Sequence, residues 1–142
     1  MRTINEIIIH CTATEAGNDF TVETIDKWHR DKGYDEIGYH FIIHPNGRIE
    51  RGRDINKAGA HCYGHNSKSI GIAYIGGLRK GKPADTRTIQ QQLALAHLIL
   101  ILEEIFPTIT KVSGHNEYSN KACPCFDVRQ WLIDSVYQYK LP

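Results

Sequence analysis

The run Ser113-Gly114-His115-Asn116-Glu117-Tyr118-Ser119-Asn120-Lys121-Ala122-Cys123-Pro124-Cys125-Phe126 gathers an imidazole, an ammonium and two thiols in one short stretch. Gly, Ser, Asn and Pro punctuate it, so it reads as a loop rather than as continuous helix or strand. A loop can bend His115 and Cys123 toward one point. Imidazole and thiolate are the donor pair that suits zinc. Two ligands do not complete a site, so another element must supply at least one more. The chain holds eight histidines, which raises the prospect of a metal centre without selecting a ligand.

The elements that would position these groups follow from pattern. Ile7-Ile8-Ile9 reads as a buried strand ending in His10-Cys11, which puts His10 where it could face a cleft from a rigid element. On that stretch alone, a core histidine bonded to backbone is the simpler reading. Thr21 caps a helix through Val22, Ile25, Trp28 and His29 to Lys32, and Gly33 closes it. Gly38–His44, the turn Pro45-Asn46-Gly47 and Arg48–Gly52 form a hairpin. Strict alternation would send Tyr39 and His40 to opposite faces unless a bulge intervenes. Residues 59–68 are a loop; its His61-x-x-x-His65 spacing is discounted as a second metal pair because glycines surround it. Ser69–Ile75 is a further buried strand, and Arg79–Thr86 a charged connector. From Thr88 a helix runs to Phe106-Pro107 with Ile89, Leu93, Ala96, His97, Leu100 and Glu104 on or near one stripe, His97 being packed. Lys111-Val112-Ser113 is a short strand that delivers His115, and Asp127 starts a last helix through Val128, Trp131, Leu132 and Val136. The expected class is α/β (α+β): a single mixed central sheet flanked by about three helices, with the cleft at one face of the sheet.

The 142 residues are 41% hydrophobic and 23% charged, the size of one domain spanning 1–142. Seventeen basic and sixteen acidic residues leave a net charge of +1, which gives no support for a nucleic-acid partner or for an anionic membrane surface. No apolar run spans a bilayer, and Met1-Arg2-Thr3-Ile4-Asn5-Glu6 has no signal-peptide pattern, so a chain without unaided export or stable membrane insertion is expected. Cys11, Cys62, Cys123 and Cys125 are expected to be reduced.

Several segments, in order, resemble the zinc amidases of the peptidoglycan-recognition type. They are Ile9-His10-Cys11-Thr12-Ala13-Thr14, Gly38-Tyr39-His40-Phe41-Ile42-Ile43, Gly59-Ala60-His61, Asn66 with Ser69-Ile70-Gly71, and Lys121-Ala122-Cys123-Pro124 with Phe126-Asp127. Within that family the chain is most similar to the amidases of T7-type bacteriophages. The resemblance runs from about Ile7 to Trp131. It implies an N-acetylmuramoyl-L-alanine amidase, which hydrolyses the amide joining muramic acid to the first alanine of the stem peptide. It implies one zinc ion per chain on His10, His115 and Cys123, catalytic roles for Tyr39 and Lys121, and places for His61 and Asn66 in the substrate groove. Peptidoglycan or muropeptides would be the partner, the chain a monomer, and its site of action the cell wall, reached through a lysis or secretion system. Cys125 departs from the phage pattern, which has serine there; Cys125 and Cys11 read as small buried side chains.

The chemistry is coherent by itself. Two neutral imidazoles and a thiolate leave zinc an open position, and an ammonium and a phenol can serve an amide's developing charge and its protons. A non-catalytic peptidoglycan-binding module is the alternative, but binders of this family lack the cysteine ligand. A glycosidase would need two positioned carboxylates, and Glu117 is the only acid near the proposed site.

Overall fold

A computed structural model describes residues 2–139. In chain order it contains β1 (Glu6–Cys11), β2 (Thr14–Glu15), α1 (Val22–Asp31), β3 (Phe41–Ile43), β4 (Ile49–Arg51), β5 (Ser69–Tyr74), β6 (Gly77–Arg79), β7 (Lys82–Pro83), α2 (Ile89–Ile105), β8 (Lys111–Gly114) and α3 (Val128–Trp131), which runs on into a π-helical stretch, Leu132–Val136. The central sheet has the order β4-β3-β5-β1-β8. β1 is parallel to β5 and β8, β3 is parallel to β5, and β4 closes one edge antiparallel to β3. The mixed sheet with three helices expected from the sequence is the architecture observed.

Alternation along β1 sorts its side chains. Ile7, Ile9 and Cys11 join one core with Ile70, Ile72, Tyr74, the α2 residues Leu95, Ile99 and Leu102, and Val128, Leu132 and Val136. Glu6, Ile8 and His10 therefore face the other side. There α1 covers the region near β3, where Ile25 packs with Ile37, Ile42, Ala73 and Ile75. The remainder of that face lies under polar segments: the loop that carries His61 and His65, and the chain following β8.

The local signals act as their chemistry dictates. Thr24 N–H donates to Thr21 Oγ1 at 3.1 Å, and Gly33, at φ +100°, ends α1. Gly47 takes φ +90° in the hairpin turn, where its N–H donates to the His44 carbonyl at 2.8 Å. Tyr39 and His40 precede the regular part of β3. The adjacent amides of Gly52 and Arg53 donate to their carbonyls at 2.9 and 2.8 Å, so strict alternation does not apply to them.

Two expectations fail. The stripe Ile89, Leu93, Ala96, His97, Leu100 and Glu104 is not the buried face of α2. That face is Gln91, Leu95, Leu98, Ile99 and Leu102, whereas Ile89 is 73% and Leu93 68% exposed and His97 is exposed rather than packed. The helix is apolar on most sides, so periodicity alone could not orient it. Gln91 orients it: its Oε1 accepts from the Thr88 amide at 2.9 Å, and its Nε2 donates to the carbonyls of Ile43 and Ile75 at 3.2 and 3.0 Å. The segment Arg79–Thr86 is also more than a connector. β6 and β7 form a hairpin that joins β2 in a second, small sheet. Its strands are too short for alternation to register, and the Glu15 carboxylate holds the turn by accepting from the amides of Lys80 and Gly81.

Candidate metal centre

Parallel pairing brings two of the suspected ligands together. Ile9 lies opposite Gly114 in the register of β1 and β8, so the next residues, His10 and His115, leave adjacent strand ends. Their ring centroids are 4.6 Å apart. Cys123 returns over them on the loop before α3. That loop is tied down by the Tyr74 hydroxyl, which donates to the Pro124 carbonyl at 2.7 Å, and by the Asp127 cap on Gln130 N–H at 3.0 Å. The Cys11 amide donates to Cys123 Sγ at 3.2 Å, and Sγ lies 3.7 Å from His10 Nδ1.

One ligand atom from each of His10, His115 and Cys123 lies within 4.8 Å of the others. Zinc sits about 2.0 Å from nitrogen and about 2.3 Å from sulfur, so one ion can touch both partners of the His10–Cys123 pair. The protonation states suit a cation as well. Burial holds the His10 pKa well below its ordinary value, with His61, His115, His29 and Lys121 adding to the effect. Burial and then Lys121 lower that of His115. The Cys123 thiol is lowered mainly by a hydrogen bond from the Cys11 thiol, against the effect of burial, with the Cys11 amide and Lys121 assisting. Two neutral imidazoles and a thiol whose pKa is lowered therefore converge, and these residues fit a zinc ion.

The other two thiols are poor competitors. Cys11 is raised by its hydrogen bond with Cys123 and by burial, and burial pushes Cys125 up to about 12. Their sulfurs lie 3.9 Å apart as free thiols packed in or against the core. Both hold their protons at neutral pH, which disfavours metal binding.

Tyr39 lies beside the cluster, its ring 5.3 Å from that of His10 and 5.1 Å from that of His29. Burial raises its pKa, so the phenol keeps its proton. Lys121 is exposed, yet its charge is felt at both His10 and His115. Neither the Tyr39 hydroxyl nor the Lys121 ammonium has a hydrogen-bond partner among the described residues. Asn66 is committed to its own loop, its Oδ1 accepting from the amides of His61 and Cys62 at 2.9 and 3.0 Å. The ring of His61 meets His10 on one side and Ser69 on the other. His65 goes elsewhere, stacking on Tyr118 at 3.9 Å with Nδ1 3.3 Å from the Glu6 carboxylate.

Sequence reasoning missed Glu6 and Ser69. Glu6 is a buried carboxylate that accepts from the hydroxyls of Tyr118 and Ser113. It lies four residues before His10 on one strand, so alternation counted back from His10 would have put it on the same face. Ser69 stands opposite Glu6 in the parallel register, which no local signal specifies.

The buried imidazoles make stability depend on pH. Burial lowers His29 and His40 from 6.5 to about 4 and His61 to about 3. The unfolded chain takes up these protons first, so the stabilising contribution is whole above the unfolded value and is lost as pH falls toward the folded one. Each such histidine costs up to roughly 1 kcal/mol per pH unit across that window. Metal-stripped protein should melt several degrees lower at about pH 5 than at about pH 7 when followed by circular dichroism. An unchanged Tm would mean that these rings are solvated in solution.

The family described as N-acetylmuramoyl-L-alanine amidase matches residues 1–126. The endolysin of Escherichia phage T7 is 37% identical over 127 residues, 88% of this chain and 83% of that protein. The N-acetylmuramoyl-L-alanine amidase LysC from Clostridium intestinale URNW superposes with a TM-score of 0.75 at 32% identity, covering 87% of this chain and 77% of that one. The ectodomain complex of peptidoglycan recognition proteins LCa and LCx, solved with tracheal cytotoxin bound, gives a TM-score of 0.75 at 27% identity, over 95% of this chain and 84% of that one.

Proposed function

The chain belongs to the N-acetylmuramoyl-L-alanine amidase family, and we propose that it cleaves the amide between N-acetylmuramic acid and L-alanine with one zinc ion held by His10, His115 and Cys123. The observation that carries this reading is the convergence of those three ligand atoms within 4.8 Å, beside a phenol and an ammonium that have no hydrogen-bond partner among the described residues. A bound zinc ion supplies Lewis acidity toward water and toward the amide carbonyl. The protein's own groups do the rest. His10 and His115 present neutral nitrogens, and Cys123 presents a thiolate. The Lys121 ammonium stabilises the negative charge that builds on the carbonyl oxygen, an interaction strongest in the transition state. The Tyr39 phenol, protonated at working pH, orients the attacking water and delivers a proton toward the leaving amine. Asn66 serves the substrate groove indirectly, by holding the loop that carries His61.

The chain acts as one domain, a reading supported by the core that joins β1 to the residues after α3 on one face of the sheet and by the smaller cluster on the other face of the same sheet. It acts as a monomer on peptidoglycan or muropeptides. No helix among the described residues is long and apolar enough to cross a membrane, and a lysis or secretion system brings the protein to the wall.

Product analysis tests the reaction class. Digestion of purified peptidoglycan should release stem peptides with new L-alanine α-amino groups and leave the glycan strands uncut. New reducing ends without new amino termini would overturn the assignment, because they mark a glycosidic cut. New amino termini on other stem residues would move the cut into the peptide.

A further inference from the structure

A chain of polar contacts runs behind His10, away from Cys123. His10 Nδ1 faces the Cys123 thiol at 3.7 Å, and His10 Nε2 lies 2.8 Å from His61 Nδ1. The other nitrogen of His61, Nε2, lies 3.1 Å from Ser69 Oγ. The two imidazole planes are nearly perpendicular, at 89°, with centroids 4.8 Å apart, so the rings meet nitrogen to nitrogen at their edges with their planes twisted. The His61 ring sits in a slot made by two glycines. A Cβ at Gly59 would come within 2.5 Å of His61 Cδ2, and one at Gly71 within 2.6 Å of the same atom. The His61 backbone is held by the Asn66 side chain, and Ser69 is fully buried at the start of β5. Little freedom is left to the ring.

A metal on Nδ1 needs the lone pair there, so a neutral His10 carries its proton on Nε2. That N–H points at His61 Nδ1, which must accept it. His61 then holds its own proton on Nε2 and donates to Ser69 Oγ. We infer that His61 and Ser69 are positioning residues for the metal centre, fixing the tautomer and ring plane in which His10 presents Nδ1. The inference rests on the metal reading of the site. Metal-bound imidazoles generally give their second N–H to a carboxylate, a carbonyl or water. Here a second imidazole takes that place, which orients the ligand without adding negative charge beside it.

Three variants test this. His61→Asn keeps an acceptor oxygen at the Nδ1 position, His61→Leu keeps comparable bulk without an acceptor, and Ser69→Ala removes the far end of the relay. The zinc dissociation constant, measured by competition with a chromophoric chelator, should rise about 10- to 100-fold in His61→Leu. It should stay within a few-fold of wild type in His61→Asn and lie between the two in Ser69→Ala. In zinc-loaded protein, the His10 Nε2–H proton should give a slowly exchanging NMR resonance in wild type and His61→Asn that is lost in His61→Leu. Wild-type affinity in His61→Leu, or equal losses in the Asn and Leu variants, would refute the positioning role. If His61→Leu does not fold, Ser69→Ala decides: unchanged affinity and an unchanged His10 resonance refute it. A wild-type protein that takes up no zinc would instead sink the metal reading, and this inference with it.

Discussion

Removing zinc from the purified protein with a chelator should abolish hydrolysis, and one equivalent of zinc should restore it. His10 lies buried near the end of β1, His115 follows β8 and Cys123 sits on the loop before α3, while the core that joins the sheet to α2 and α3 is built from other, apolar side chains. The apo chain should therefore remain folded, unlike a small zinc module whose fold is its metal site. It should melt at a lower temperature than the loaded form, because a ligand that binds only the native state stabilises it by mass action, by about 4 kcal/mol at 1,000 times Kd. Cys123→Ser should act more severely than its size suggests. The Cys11 amide donates to the sulfur at 3.2 Å, and the neighbouring Cys11 thiol also favours its ionised form. A serine hydroxyl stays protonated at neutral pH and offers zinc neither charge nor a soft donor. Zinc content should fall far below one per chain by atomic emission, with activity below detection. Full activity in protein shown to be free of metal would end the zinc reading.

Lys121→Ala should lower kcat by about 100-fold or more, corresponding to roughly 3 kcal/mol of lost charge stabilisation, while zinc content stays near one per chain. The argument is positional. Lys121 stands two residues before Cys123, and its charge reaches both His10 and His115. It has no ion pair among the described residues that would draw it away. Tyr39→Phe should fall in the same range, since a positioned proton donor is typically worth about 100-fold or more. Its ring packing against His10 and His29 would survive the loss of one oxygen. A raised KM with unchanged kcat in Lys121→Ala would instead place the ammonium in ground-state binding.

Much of the site was legible because its parts announce themselves locally. A β-branched run ending in His10, a Gly-, Asn- and Pro-punctuated loop bearing His115, Lys121 and Cys123, and the resemblance of several segments to zinc amidases pointed to the three residues whose ligand atoms converge in the fold. Thr21, Gly33, Thr88, Gly47 and Asp127 marked element boundaries because caps and turns are bonds between near neighbours. Those features the sequence determined by itself, since each depends on residue type and short-range spacing.

Tertiary structure decided what depends on register and on which face turns inward. The pairing of Ile9 with Gly114 spans most of the chain, and only that pairing makes His10 and His115 neighbours. The loops that carry Cys123 and His61 close on His10 from either side, so that its Nδ1 faces Cys123 while its Nε2 faces His61. The face of α2 was undecided because a helix apolar on most sides has no preferred rotation until a buried polar group, here Gln91, finds its partners. The small sheet of β2, β6 and β7 escaped notice because such short strands carry no periodicity. The relay from His10 to Ser69 escaped it because its members come from separate elements, joined only where the folded chain excludes water and each ring nitrogen must find a partner within the protein.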